Sequence, residues 1–123
     1  LSATVTGYHV SRGGRFDEVP AGTELVGIEL SIENTGSEAY VDSPGNGAKL
    51  ITTAGVPLKP FFPVGGDCSG SGFSSSANVP PGATREGCIA FKLRAGQEGG
   101  EFEWTPNSGF ADDSGRWALP PVE

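Results

Sequence analysis

The sequence of residues 23–33 is TELVGIELSIE, and from residue 26 onward every second position is apolar. The apolar residues in this alternation are Val26, Ile28, Leu30 and Ile32. A hydrophobic period of two indicates a β-strand with one buried and one solvated face. Turn-forming residues flank the stretch, with Pro20-Ala21-Gly22 before it and Asn34-Thr35-Gly36 after it. The strand therefore has defined ends, and the rest of the chain can be placed relative to it.

A second clear strand extends from Arg85 to Arg94. Its two faces carry different residues: Ile89, Phe91 and Leu93 on one, and Cys88, Ala90 and Lys92 on the other. Weaker strands are predicted at 3–10, 40–42, 48–53, 56–62, 73–77, 100–105 and 115–119, with a hairpin tip at 53–56. Short strands roughly every ten residues favour an antiparallel β-sandwich of about 7–9 strands. We expect a single domain over residues 1–123 and, with 20 Gly and 10 Pro, essentially no helix.

The net charge of −7 makes nucleic acids and anionic membrane surfaces poor partners, because both are bound through Lys and Arg clusters. No apolar run approaches the roughly 20 residues of a membrane-spanning helix. The chain opens at Leu1 without a Met, so we expect an export signal, and a lipid anchor or linker, to lie upstream. A monomer is the default expectation for the oligomeric state.

Cys68 and Cys88 are the only cysteines, and they enclose much of a Pro-, Gly-, Ser- and Phe-rich loop at about residues 60–82. An even pair of this kind predicts a structural disulfide and an extracytoplasmic location, because disulfides persist in oxidising compartments. The alternative, a redox or metal-ligating thiol pair, requires a Cys-X-X-Cys spacing or histidine companions, and the sequence offers neither. Since Cys88 faces away from Ile89 and Phe91, we expect the bridge to staple the loop to the outside of a sheet.

His9 is the only histidine, and no G-x-S-x-G motif is present, so the sequence favours a protein without catalytic activity, cofactor or metal. Paired acids leave two less favoured alternatives open. A glycosidase would use Asp17, Glu18 or Asp112, and a calcium site would use acidic clusters such as Asp112-Asp113. Four other carboxylates fall on predicted solvated faces: Glu29, Glu33, Glu101 and Glu103.

The long loop also carries apolar side chains that form a candidate partner surface: Phe61, Phe62, Val64 and Phe73. Binding residues tend to lie on loops that a rigid scaffold positions. The alternative is that these side chains cap an open end of the sandwich. Trp104 and Trp117 lie on segments with a period of two and are expected in the core.

Several short motifs occur in a characteristic order along the chain. They are Val19-Pro20-Ala21-Gly22, the strand 25–32 followed by Glu33-Asn34-Thr35-Gly36-Ser37-Glu38, Pro80-Pro81-Gly82-Ala83-Thr84, and Gly87-Cys88-Ile89-Ala90-Phe91. In this order they resemble the bacterial lipoprotein-associated immunoglobulin-like domains, a family similar to the secreted immunoprotective antigen of mycobacteria. The resemblance covers about residues 7–119.

The resemblance implies an immunoglobulin-like β-sandwich on an exported, often lipid-anchored protein of a Gram-positive bacterium, without family catalytic residues. Together with the cysteines and the composition, it predicts a secreted or cell-surface binding or accessory module without enzymatic activity. Its partner would be a protein or another component of the cell envelope. The alternative is a structural spacer domain of a larger lipoprotein.

Overall fold

The computed structural model describes residues 1–10, 21–61, 68, 77–106 and 114–120. Within these ranges the chain forms nine strands and one short 3₁₀ turn, Pro44–Gly47. The strands are β1 (Ser2–Val10), β2 (Thr23–Glu33), β3 (Tyr40–Asp42), β4 (Ala48–Thr52), β5 (Pro57–Leu58), β6 (Ala77–Val79), β7 (Thr84–Arg94), β8 (Gly99–Trp104) and β9 (Gly115–Ala118). All pairings are antiparallel, which confirms the all-β class predicted from the sequence.

The nine strands of the described ranges form two larger sheets and a two-stranded sheet. The first sheet has the order β1-β2-β7, the second has the order β5-β4-β8-β9, and β3 pairs with β6. The long strands β2 and β7 pair over their whole length, from Thr23 opposite Arg94 to Glu33 opposite Thr84. A register shift between Val5 and Gly7 interrupts the pairing of β1 with β2. The β2–β7 ladder has no such interruption, so it fixes which side chains share each face of the first sheet.

The hydrophobic core lies between the two larger sheets, as in a β-sandwich. The alternating residues of β2 and the apolar face of β7 meet residues of β4 and β8 there. The rings of Phe91 and Phe102 pack edge to face across the core, with centroids 6.2 Å apart. Trp104 is buried and donates its indole N–H to the Pro44 carbonyl oxygen at 3.0 Å, while Trp117 packs against the core half-buried. The prediction that both tryptophans belong to the core is borne out.

Two of the weaker strands differ from their predicted bounds by more than one residue, while the other five agree within one residue at each end. The strand predicted over 56–62 is wrong in extent, because β5 covers Pro57–Leu58 alone and Phe61 forms a separate bridge with Ala90. Proline has no N–H for a ladder, so it confines the pairing to a short edge strand. The strand predicted over 73–77 begins only at Ala77 within the described residues, and 73–76 lie outside them.

The hairpin tip at 53–56 is confirmed. Gly55 has φ 84°, a left-handed conformation that glycine adopts at little cost, and the Thr52 hydroxyl oxygen accepts a hydrogen bond from the Val56 N–H at 3.0 Å.

Candidate functional site

The disulfide joins Cys68 to Cys88 on the outer face of the first sheet, as the alternation along β7 predicted. Ile89, Phe91 and Leu93 lie in the main core, whereas Cys68, Cys88 and Ala90 form a separate buried cluster. The Cα atoms of the two cysteines are 5.1 Å apart. The bridge therefore attaches the chain at Cys68 to the outside of the sheet and does not cross the sandwich.

Gly27 provides the space in which the bridge lies. It is buried on the outer face of β2, diagonal to Cys88 in the ladder. A Cβ atom at this position would lie 2.7 Å from the Cys68 Sγ, 2.8 Å from the Cys88 Sγ and 2.9 Å from the His9 Cε1. These distances are shorter than van der Waals contact, so only glycine fits without displacing the two sulfur atoms and the imidazole.

His9 and Glu29 complete this group of side chains. Because successive residues of a strand point to opposite faces, the buried Tyr8 leaves its neighbour His9 on the outer face, opposite Gly27. Glu29 lies directly opposite Cys88 in the β2–β7 register. The His9 Nε2 and the Glu29 Oε1 are 2.9 Å apart. We call His9, Glu29, Cys68 and Cys88 the outer-face cluster.

The sequence interpretation that the cysteines lack a histidine companion is wrong. The nitrogen of His9, the carboxylate oxygen of Glu29 and the sulfur of Cys88 all lie within 4.8 Å of one another. His9 is distant from both cysteines in sequence, and only the pairing of β1 with β2 and of β2 with β7 brings it beside them. The register of three strands, rather than a local motif, forms this cluster.

The hydrogen bonds of His9 constrain its chemistry. Nδ1 lies 3.0 Å from the Val10 carbonyl oxygen, which can only accept, so Nδ1 carries a proton. Nε2 faces the Glu29 carboxylate, another acceptor. A second proton on Nε2, giving an imidazolium, satisfies both contacts in the disulfide-bonded chain. The side chains of His9 and Glu29 are 32% and 40% exposed, so the cluster can be reached from solvent on this side.

Phe61 lies at the edge of β7 next to the cluster. Its backbone N–H donates to the Ala90 carbonyl oxygen at 2.8 Å, and the Lys92 ammonium lies 4.3 Å from the centroid of its ring. The side chain is half-buried. Of the predicted partner surface, Phe62, Val64 and Phe73 lie outside the described residues, so this surface stays a prediction with one member placed.

The acids named for a glycosidase or a calcium site, Asp17, Glu18, Asp112 and Asp113, also lie outside the described residues.

On the outer face of the second sheet, Arg116 bridges two other carboxylates. Its guanidinium is 2.7 Å from Glu103 and 3.8 Å from Glu101. Exposed pairs of this kind satisfy the carboxylates but add little stability.

A separate open cleft of about 600 Å³ lies at one end of the sandwich. Tyr8 lines it together with Glu24, Glu98 and Leu119. Burial raises the pKa of the Tyr8 phenol, a hydrogen bond with the Gly99 backbone opposes this, and the charges of Glu24 and Glu98 raise it further. The Tyr8 phenol therefore keeps its proton to a higher pH than an ordinary tyrosine does.

Comparison with known proteins identifies the fold. No protein-family model matches the chain. No curated protein matches it in sequence. Among solved structures, the chain is similar to the candidate lipoprotein YcdA of Bacillus subtilis subsp. subtilis str. 168, with a TM-score of 0.72 and 13% identity. The match covers 97% of this chain and 36% of that one, so the chain spans about a third of the length of its structural neighbour.

The described residues contain no helix with the length and hydrophobicity that a membrane crossing requires.

Proposed function

We propose that the chain is an immunoglobulin-like binding module, without catalytic activity, of an exported, lipid-anchored protein. Its similarity in fold to a candidate lipoprotein of Bacillus subtilis supports the link to the cell envelope. The disulfide between Cys68 and Cys88 supports an oxidising compartment. Both cysteines are joined in that bridge, and the only histidine contacts Glu29, which favours binding over nucleophilic catalysis.

The order of the strands supports the immunoglobulin-like assignment. In immunoglobulin domains the strands A, B and E lie in one sheet, and C, F and G lie in the other. Here β1, β2 and β7 occupy the positions of A, B and E, while β4, β8 and β9 occupy those of C, F and G. The strand β5 extends the second sheet next to β4, where the C′ strand of variable-type domains lies.

The observation that carries the binding proposal is the attachment of the chain to the outer face of the first sheet beside Phe61. Ala90 contacts both features, because it clusters with the two cysteines and pairs with Phe61. A chain held at Cys68 by a covalent bond loses less conformational entropy when it binds a partner. We infer that the partner, a protein or another component of the cell envelope, contacts this side of the domain.

Binding to isolated cell envelopes of the encoding organism tests the proposal. The oxidised chain should cosediment with envelopes in a saturable manner, and Phe61→Ser should weaken binding at least about tenfold, as truncation of a central interface aromatic does. Val41→Ser is the matched control, since Val41 is 62% exposed and lies on the separate two-stranded sheet. Absence of saturable binding, or an equal loss in both variants, would contradict the proposal.

A spacer role is the second candidate, because the matched region is 36% of a longer protein in the structural neighbour. A spacer acts through its length and rigidity, so removal of its surface side chains should leave the function of the full protein intact. If neither Phe61→Ser nor reduction of the disulfide alters envelope binding or the activity of the full-length protein, the spacer role is favoured.

A further inference from the structure

We propose that the outer-face cluster is a zinc site when its disulfide is reduced. The proposal is independent of the binding function, because it concerns the thiol form of the chain. Two thiolates, an imidazole and a carboxylate form a ligand set of the kind that binds Zn²⁺ tetrahedrally. In the disulfide form the sulfur atoms are bonded to each other, so the bridge and the metal exclude one another.

The positions of the ligand atoms fit a single ion. Zinc bond lengths of about 2.0–2.3 Å place neighbouring ligands of a tetrahedron roughly 3.3–3.8 Å apart. One ring nitrogen of His9, one carboxylate oxygen of Glu29 and Cys88 Sγ already lie within 4.8 Å of one another, and Cys68 Sγ is bonded to Cys88 Sγ. Three of the four ligand atoms are therefore already close together, and opening of the disulfide frees the adjoining Cys68 sulfur as the fourth.

His9 is already oriented as a metal ligand. Ligating histidines usually donate their second ring N–H to a backbone carbonyl or a carboxylate, which fixes the tautomer. The Nδ1 of His9 donates to the Val10 carbonyl oxygen at 3.0 Å, so Nε2 is the nitrogen that would bind the metal after losing its proton. That nitrogen faces the Glu29 Oε1 at 2.9 Å. In the oxidised chain a proton on Nε2 joins these two acceptors, and Zn²⁺ would replace that proton once the two atoms move apart to the separation of neighbouring zinc ligands.

Gly27 keeps the centre of the cluster clear. The two sulfur atoms and the imidazole carbon surround the position of its absent Cβ, each within 2.9 Å of it. Any side chain on β2 at this point would compete with the ligands for space. The cysteines are buried, and the exposed parts of His9 and Glu29 give the ion a route from solvent.

The reaction requires a reductant, which we take to be a dithiol. It transfers two electrons and two protons to the Cys68–Cys88 disulfide, giving two thiols, and is itself oxidised to a disulfide. Zn²⁺ then displaces both thiol protons and the Nε2 proton of His9, and the metal-bound form has two thiolates. A small-molecule disulfide reverses the sequence: it takes two electrons from the two thiolates and two protons from solvent, becoming two thiols, while the Cys68–Cys88 bond re-forms and Zn²⁺ is released. The site thus couples the thiol state of the chain to metal binding.

Metal titration of the full 123-residue chain in both redox states tests the proposal. The chain is reduced anaerobically with a dithiol, the dithiol is removed, and Zn²⁺ is added in competition with a chromophoric chelator. We expect one equivalent bound by the reduced chain and at least about a hundredfold weaker binding by the oxidised chain, which has lost both thiolate ligands. Co²⁺ should give thiolate charge-transfer absorption in the reduced chain alone.

His9→Gln and Glu29→Gln should each weaken Zn²⁺ binding to the reduced chain at least about tenfold, because even outer-shell losses cost that much. Glu33→Gln, on the same face of β2, is the matched control and should change the affinity less than about twofold.

Equal affinity of the wild type and the His9→Gln chain overturns the proposal, as does equal binding by the oxidised chain. The near-ultraviolet circular dichroism of buried Trp104 monitors folding. An unfolded reduced chain that binds through its thiols alone would not depend on His9 or Glu29 and would also overturn it.

Discussion

Gly27 is the residue at which the outer-face cluster converges, and its replacement should be costly for steric reasons alone. We expect Gly27→Ala to lower the free energy of unfolding by about 1–3 kcal/mol, the usual cost of an extra methyl group in a packed interior. Urea unfolding of the oxidised chain measures the change. Gly36→Ala is the control, because a Cβ there meets its nearest neighbour, the Asn34 Oδ1, at the more tolerant distance of 3.4 Å.

A double-mutant cycle tests whether the cost of Gly27→Ala comes from a clash with the disulfide or from another effect of a side chain at this position. In the background Cys68→Ala plus Cys88→Ala both sulfur atoms are absent, so Gly27→Ala should cost at least about 1 kcal/mol less than in the wild type. An unchanged cost would mean that the bridge is not what Gly27 accommodates.

At the same scale, the sequence predicted half of the outer-face cluster. Cys68 and Cys88 could be predicted from the sequence, because a lone even pair that closes a Gly/Ser-rich loop indicates a disulfide, and the alternation along β7 gave the direction of Cys88. His9 and Glu29 could not be predicted as members of the cluster, because no local spacing connects them with the cysteines. A signal did exist in the glycine, since Gly27 interrupts an otherwise uniform strand, and such a residue indicates close approach of another group. To identify the groups that approach Gly27, however, one would have needed the register of β1 and β7 against β2.

At the scale of elements, Asn34 connects the end of β2 with the turn that follows it and with β6. Its amide nitrogen donates to the carbonyl oxygens of Glu38 at 2.7 Å and Val79 at 2.9 Å, and its Oδ1 accepts from the Gly36 N–H at 2.9 Å. Since Asn34 is buried, Asn34→Ala should destabilise the fold by about 2–4 kcal/mol, because it leaves buried carbonyl oxygens unsatisfied. Thermal unfolding measures this, with Asn78→Ala on the exposed side of β6 as control.

Asn34→Asp gives a sharper test of the same contacts. A carboxylate there would face two carbonyl oxygens, so the folded state would favour its protonated form, and the loss of stability should diminish as the pH falls through the raised pKa of that carboxyl. A loss that is the same at pH 4 and pH 8 would show that the hydrogen bonds to Glu38 and Val79 are not what Asn34 contributes.

The strands themselves show which sequence signals are reliable. The bounds of β2 and β3 agree with the prediction, and β7 begins one residue earlier, because alternation and flanking turn residues define these strands locally. The extent of β5 was wrong, because the apolar run 56–62 contains Pro57 and Pro60, which limit pairing to an edge. The 3₁₀ turn at Pro44–Gly47 was not predicted, since Pro44 is buried and accepts a hydrogen bond from the indole of Trp104, a contact that no local pattern reveals.

At the scale of the whole molecule, Tyr8 gives folding a dependence on alkaline pH. Because burial raises its pKa above 10.0, the folded state holds the phenolic proton more tightly than the unfolded state does. The stability from this group is fully present below pH 10.0 and is lost as the pH rises through the folded pKa. Urea unfolding between about pH 8 and pH 11 should therefore show a steeper decline for the wild type than for Tyr8→Phe. Parallel declines would contradict the role of Tyr8.

The disulfide should stabilise the whole domain through the unfolded state. It links residues separated by 20 positions, and the chain-entropy estimate for such a loop is about 3 kcal/mol. The double variant Cys68→Ser plus Cys88→Ser should therefore melt about 10 °C lower, given how a change in stability shifts the melting temperature of a domain of this size. Its unfolding should also depend more steeply on urea, because an unfolded chain without the bridge exposes more surface.

The two measurements distinguish a constraint on the unfolded chain from a packing contribution of the sulfur atoms. A lower melting temperature with an unchanged urea dependence would place the effect in the folded state, where Cys68, Cys88 and Ala90 form their own buried cluster. An unchanged melting temperature would mean that the bridge contributes nothing to folding. In that case the attachment of Cys68 to the sheet beside Phe61 would be the remaining physical role of the bridge, and the envelope-binding experiment on the reduced chain would decide whether that attachment matters for binding.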